Sequence, residues 1–283
     1  MGQDDNRWCE LGFAEPAVAF RGPTQTARSV TEAWMALHGF CPACAADRLP
    51  QLPNNAPVAD FRCDDCGEEY ELKAKQGKLG RSIPDGAFST MTARLAAANN
   101  PNLFAMSYDR AAGRVTDLIL VPCHVFTPAI IQARKPTHPK GRSNPWVGCN
   151  ILIGQVPASG RISLIRGGVA APRAEVRAAW AATSFLRDAD MNARGWLLDV
   201  MRCVEDHTAR AGRPDFTLTD LYAFEARLAA LHPANRHVRA KIRQQLQVLR
   251  DRGGWRSATG AGRTGFPSPL EGEGGRRRRS DEG

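Results

Sequence analysis

An α/β domain followed by an all-α module is the fold class this sequence predicts, on three observations. Short strand-like runs near 57–75, 103–108 and 115–121 surround one stretch of helical periodicity at 82–99. Two Cys-x-x-Cys pairs are set around the first of these runs. Beyond residue 195 the apolar residues recur at helical spacing in three successive segments.

The chain has 283 residues, room for about two domains at ~150 residues each. Hydrophobic residues make up 43% and charged residues 24%, a globular composition that excludes wholesale disorder and a fibrous repeat. No run approaches the ~18 apolar residues of a membrane span, and Met1-Gly2-Gln3-Asp4-Asp5-Asn6 has neither part of a secretory signal. A soluble, cytoplasmic protein without a membrane partner is expected. Lysine and arginine total 38 against 29 acids, a net charge of +9, of which 256–283 supplies only +2. The surplus favours an anionic partner, nucleic acid first, because each neutralised phosphate releases a counterion. A basic protein with no such partner is the competing reading of charge alone.

The first element is metal-bound. Of the eight cysteines, Cys41, Cys44, Cys63 and Cys66 form two pairs with 18 residues between them. Two-residue gaps turn both thiolates of a knuckle toward one ion, and a linker of ~15–20 residues brings two knuckles into a tetrahedral Cys₄ zinc site. Such a site has no open coordination position, so this zinc is structural. A disulfide framework competes, but without a secretory signal the thiols should stay reduced. Cys9, Cys123, Cys149 and Cys203 read as small buried hydrophobes.

Residues 57–75 read as two strands joined by the second knuckle. Glu71 and Lys73 are two apart and share one face of the second strand, while Tyr70, Leu72 and Ala74 occupy the other. If Asp60 turns the same way, two carboxylates and one ammonium meet. Two carboxylates supply hard oxygen ligands for Mg²⁺, and a lysine beside them can orient or help deprotonate a metal-bound water. The spacing Asp-x₁₀-Glu-x-Lys, with Pro57 three residues earlier, resembles the PD-(D/E)XK nuclease signature. The alternative is that Glu71 and Lys73 are a solvated face and Asp60 a turn residue.

Residues 82–99 then read as a helix carrying Ala87, Met91, Leu95 and Ala98, and 103–108 and 115–121 as strands around a turn. The loop 133–146 sets Arg134, Lys135, Lys140 and Arg142 among prolines and ends on Trp146. A basic, proline-stiffened loop with an exposed ring can straddle phosphates and press on a base, though Trp146 as a core anchor is the other reading.

In the C-terminal module, Trp196, Leu197, Val200, Met201 and Val204 mark a first helix. Thr217-Leu218-Thr219-Asp220 resembles a capping box ahead of a second, carrying Leu221, Phe224, Leu228 and Leu231. A third, over 235–251, turns Val238, Ile242, Leu246 and Leu249 inward and lines up Arg236, Arg239, Arg243 and Arg250. With Gly253-Gly254-Trp255 where a wing strand would begin, this predicts a winged helix-turn-helix whose third helix enters the major groove. Arg236, His237, Arg239 and Arg243 are its candidate DNA contacts. The expected division is 1–185 for the catalytic domain, 190–257 for the winged helix and 258–283 for a disordered tail.

Taken together, the runs Thr31-Glu32-Ala33-Trp34, Cys41-Pro42-Ala43-Cys44, Pro57-Val58-Ala59-Asp60-Phe61, Cys63-Asp64-Asp65-Cys66, Glu68-Glu69-Tyr70-Glu71-Leu72-Lys73, Asp85-Gly86-Ala87, Asn99-Asn100-Pro101-Asn102, Trp146-Val147-Gly148-Cys149-Asn150, Arg194-Gly195-Trp196 and Lys241-Ile242-Arg243-Gln244-Gln245-Leu246 resemble the DpnI-type restriction endonucleases. The resemblance implies a PD-(D/E)XK restriction-endonuclease-like catalytic domain with a structural zinc, Mg²⁺-dependent cutting, a C-terminal winged helix and a GATC target methylated at adenine. It implies metal binding at Asp60 and Glu71, a catalytic Lys73, zinc at Cys41, Cys44, Cys63 and Cys66, and methylated-base contact at Trp146. The expected protein is a monomeric type II restriction endonuclease acting on adenine-methylated duplex DNA, with no small-molecule substrate. A repair or junction nuclease of the same fold, and a zinc-containing transcription regulator that hydrolyses nothing, are the rival readings.

Overall fold

Strand formation is driven by apolar continuity. The run Leu103-Phe104-Ala105-Met106 is buried on both faces, as a central strand requires, and it anchors the main sheet. In the computed structural model residues 23–53, 59–136, 146–252, 256–258 and 263–265 are described. In chain order the first unit contains α1 (Pro23–His38), β1 (Phe61–Arg62), β2 (Glu69–Gln76), β3 (Ile83–Ala87), α2 (Phe88–Ala96), β4 (Asn102–Asp109) and β5 (Arg114–Val121). It continues with β6 (Ile131–Ala133), β7 (Gly148–Ile151), β8 (Ile162–Arg166), β9 (Val169–Ala170) and α3 (Arg173–Thr183).

The main sheet has the order β1-β2-β4-β5-β8-β9. Its pairings are antiparallel except β2 with β4, which run parallel from Tyr70↔Asn102 to Gln76↔Tyr108. A parallel pair needs a crossover, and β3 and α2 lie within it. β3 joins a second sheet of order β3-β7-β6. Trp34 and Met35 of α1 and Val176 and Trp180 of α3 share one core with Tyr70 and Leu72 of β2. Tyr70 and Leu72 thus fix which way Glu71 and Lys73 turn.

The expected helix over 82–99 is corrected at its start. Residues 83–87 are strand β3, paired antiparallel with β7, and the helix begins at Phe88. Pro84 and Gly86 are poor helix residues, and pairing with β7 outweighs an apolar spacing that continues into α2. The loop expected from residue 133 also begins on β6, while 137–145, with Lys140 and Arg142, lies outside the described residues.

The two units are Met1–Arg202 and Cys203–Gly283, and α4 (Met191–Ala211) runs through the division. The second unit adds β10 (Asp215–Phe216), α5 (Leu218–Tyr222), α6 (Glu225–Leu231), α7 (Val238–Asp251), β11 (Arg256–Ala258) and β12 (Arg263–Gly265). The Thr217 hydroxyl accepts from the Asp220 amide, and the Asp220 carboxylate accepts from the Thr217 amide, so the capping box is present. The single helix expected after it is broken, with α6 restarting at Glu225. β10-β12-β11 form an antiparallel sheet, which supplies the wing. β12 falls inside 258–283, the stretch read as a tail, because a three-residue strand is too short to show a period. Trp255 and most of that stretch lie outside the described residues. Among the described residues no helix is long and apolar enough to cross a membrane.

Candidate active site and metal cluster

The β1–β2 hairpin contributes to two ligand sets of opposite character. At its turn, Gly67 takes φ +75, a conformation that costs a Cβ-bearing residue strain, and its amide donates to the Cys63 carbonyl at 2.9 Å. This closes the second knuckle. The four sulfurs of Cys41, Cys44, Cys63 and Cys66 lie within 4.8 Å of one another, with Cys41–Cys66 and Cys44–Cys63 both at 3.6 Å. Sulfurs at ~2.3 Å around a tetrahedral zinc stand about 3.8 Å apart, so the set fits one ion of that size.

The surroundings fix the sulfurs further. The Tyr70 hydroxyl lies 3.1 Å from the Cys41 sulfur. Arg177 of α3 donates to the carbonyls of Cys41, Ala45 and Ala46. Burial pushes the Cys41 thiol up to about 11. At Cys63 burial acts the same way but is outweighed by the amides of Cys66 and Asp65, which lower it.

Along β2 the chemistry is hard and open. Asp60 precedes β1, and its backbone amide donates to the Tyr70 carbonyl at 2.9 Å. Its Oδ2 accepts from the Leu72 amide at 2.8 Å. Those two bonds hold Asp60 beside β2, where it lines one cleft of about 820 Å³ with Glu71 and Lys73. The Lys73 ammonium is 2.6 Å from Glu71 and 2.7 Å from Asp85. From α1, Arg28 bridges Glu32 and Asp60, the latter at 3.0 Å, while Gln51 donates to the other Glu32 oxygen at 2.9 Å.

The electrostatics follow from that crowding. Burial pushes the Glu71 carboxyl up to about 7, Lys73 pulls the other way, and the carboxylates of Asp85 and Asp60 add to the rise. For Lys73 burial disfavours the charge, but Glu71 and Asp85 outweigh it and raise the pKa, so Lys73 is an ammonium. A site in which the carboxylates of Glu32, Asp60, Glu71 and Asp85 outnumber the cations Arg28 and Lys73, and in which one acid resists ionisation, fits a divalent cation on Asp60 and Glu71.

Sequence reasoning named Asp60, Glu71 and Lys73, and the fold brings them to one cleft. It missed Asp85, Glu32 and Arg28 as members of that site, although Asp85-Gly86-Ala87 and Thr31-Glu32-Ala33-Trp34 stood out as motifs. Of the other cysteines, Cys149 and Cys203 are buried, Cys123 is half-buried beside Arg187, and Cys9 lies outside the described residues.

Trp146 is 47% exposed. Its indole lies over Gly148 so closely that a Cβ there would stand 2.7 Å from Cη2, with the Arg134 Cδ at 3.5 Å from the same point. In the second unit the candidate DNA contacts divide. Arg236 and His237 are exposed, His237 at the N-cap of α7. Arg239 pairs with Glu225 at 2.7 Å and lies over the Tyr222 ring, and Arg243 donates to the Tyr222 hydroxyl at 2.7 Å.

Two family models match this chain. That of the Dam-replacing family, DpnI, covers residues 15–189, and that of the Dam-replacing HTH domain covers residues 192–257.

Proposed function

The chain belongs to the Dam-replacing (DpnI) family, and from that premise we propose that it is a type II restriction endonuclease cleaving duplex DNA at adenine-methylated sites. GATC methylated at adenine is the proposed target, and Asp60, Glu71 and Lys73 carry the hydrolysis. It acts as a cytoplasmic monomer with a structural zinc on the four cysteines. The observation that carries this reading is the cleft itself, which Asp60, Glu71 and Lys73 line together, with the ammonium held 2.6 Å from Glu71.

A Mg²⁺ ion on Asp60 and Glu71 would supply Lewis acidity at the scissile phosphate and lower the pKa of a bound water. The chain supplies the positions. The Leu72 amide holds Asp60 by Oδ2. Lys73, kept charged by its carboxylate neighbours, orients the attacking water and offsets negative charge gathering on the phosphate. The HTH unit adds phosphate contacts through its basic residues, with Arg236 and His237 the exposed candidates at the start of α7.

Methyl selectivity calls for more than one reader. A buried methyl contributes roughly 0.8 kcal/mol, less than the ~1.4 kcal/mol of a tenfold preference. A palindrome methylated on both strands offers two methyls, and reading by both Trp146 and the winged helix combines the terms.

The test is digestion with Mg²⁺ of one plasmid prepared with and without adenine methylation, by wild type and Asp60→Ala. Cutting of the methylated plasmid alone, abolished by the substitution, is the expected result. Equal cutting of both would leave a nuclease without methyl specificity, and DNA binding without cutting would leave a regulator.

A further inference from the structure

We propose that Asp85 is a positioning residue for catalysis, the fixed anchor that keeps the Lys73 ammonium in the cleft once Glu71 is engaged elsewhere. The inference rests on the reading of Lys73 as a catalytic group. Asp85 comes from β3, a strand of the second sheet, and reaches across to a lysine of the first. Its Oδ1 lies 2.7 Å from Lys73 Nζ, and its side chain is only 7% exposed.

Three features argue for a purpose in that placement. The first is local geometry. The β3–β7 register shifts between Asp85 and Ala87, and an irregularity of this kind beside a site re-aims a side chain that regular pleating would point elsewhere.

The second is energetic. Withdrawing a carboxylate from water costs more than an ion pair alone reliably returns. A buried anion paired to one mobile cation is therefore better explained by what it positions than by stability. Lys73 needs such a partner, since its flexible four-carbon stem has rotamer freedom that a single position must overcome.

The third is competition for Glu71. Lys73 has two anionic partners, Glu71 at 2.6 Å and Asp85 at 2.7 Å. An ion on Asp60 and Glu71 would draw on the Glu71 carboxylate, one of whose oxygens Lys73 contacts. Asp85 would then be the partner left over, and its 2.7 Å contact would keep the ammonium in the cleft. The motif Asp85-Gly86-Ala87 thereby acquires a role that its sequence alone did not disclose.

Single-turnover cleavage of a methylated GATC duplex, started by Mg²⁺ from a preformed complex, tests this. Asp85→Asn keeps the shape and loses the charge. Its rate at saturating Mg²⁺ is expected to fall by about a hundredfold, with the duplex Kd in Ca²⁺ and the half-saturating Mg²⁺ within about twofold of wild type. Asp85→Glu keeps the charge but moves the ammonium, so its rate falls by about tenfold. It carries the test if Asp85→Asn fails to fold. Wild-type rates in a folded variant would overturn the proposal. So would a large rise in half-saturating Mg²⁺ with the rate recovered at saturation, which would make Asp85 an ion ligand. A Lys73→Ala variant that cuts normally would instead sink the assignment of Lys73, a result separable from any of these.

Discussion

The cysteine cluster and the carboxylate cleft share one hairpin, which contributes Cys63 and Cys66 to the first and Glu71 and Lys73 to the second, yet they differ in almost every physical respect. In the cluster four like groups converge with sulfur pairs at 3.6 Å, a tyrosine hydroxyl reaches one sulfur, and α3 clamps the loop from outside. The cleft is open, about 820 Å³, and sets unlike charges together, with a carboxyl that burial pushes up to about 7 beside a lysine kept charged. As the structural site proposed above, the cluster would spend all four ligands on one ion, whereas the cleft, as the proposed catalytic site, keeps room and unresolved charge. The first should fail by unfolding and the second by losing rate alone.

The largest effect should come from the cluster. Cys63→Ser removes one of four sulfurs at a knuckle that closes the hairpin. Metal binding of this kind is linked to on the order of 10 kcal/mol of folding energy, far above the ~1 kcal/mol of an ordinary substitution. Loss of the cooperative thermal transition, together with loss of cutting, is expected in a melt followed by circular dichroism. A variant that melts as wild type would make the cluster dispensable and collapse the contrast.

Asp60→Ala should break the other half cleanly. Cleavage is expected to drop by at least about a thousandfold, some 4 kcal/mol of barrier, while the melting transition and DNA binding persist. A comparable loss of stability would show that the cleft is also structural.

Acidity sharpens the same contrast. Glu71 must ionise to hold a cation, and burial first, then Asp85 and Asp60, raises its pKa from the ordinary 4.5 to about 7. As pH falls below about 7 the half-saturating Mg²⁺ should rise by up to tenfold per unit, and above it should level off. The linked stability has the opposite sense: without metal, the folded form holds this proton more tightly, a contribution complete below 4.5 and lost as pH rises through about 7. Titrating Mg²⁺-dependent cleavage between pH 5.5 and 8.5 checks the first (on the order of three units, bracketing that value), and a flat response would remove Glu71 from the ion's shell.

The sites differed in how far they could be read from the chain. Cysteine spacing and the Glu71, Lys73 pair are local, since a knuckle and a two-residue period need only neighbours, while Asp60 joins them through its bonds to Tyr70 and Leu72 across the hairpin. Asp85, Glu32 and Arg28 are not local, because β3 and α1 meet β2 only through tertiary packing. The same cause hid other features. Strand β3 exists because β7 pairs with it, against an apolar spacing that suits a helix. Arg239 and Arg243 looked free along a helical stripe, but Glu225 and Tyr222 from neighbouring helices engage both. On α7 the buried positions include Gln245, while Leu246 is only half-buried, a rotation of the inward face that apolar periodicity does not reveal.

The smallest effect concerns Trp146, which belongs to neither the cysteine cluster nor the cleft. Its indole lies where a Cβ on Gly148 would intrude to 2.7 Å of Cη2, so Gly148→Ala must move the ring. The moved atoms are the outer edge of an indole that is 47% exposed, and β7 stays paired to β3 and β6, so the fold should tolerate the change. If the ring reads one methyl worth ~0.8 kcal/mol, displacing it should reduce the preference for methylated over unmethylated duplex by at most about fourfold. Competition binding in Ca²⁺ with the two duplexes measures that ratio. In a Trp146→Ala background the same substitution should change nothing more, because the two residues act through one ring. An unchanged preference in both single variants would move methyl reading away from this strand, while the cleft and its chemistry would stand as argued.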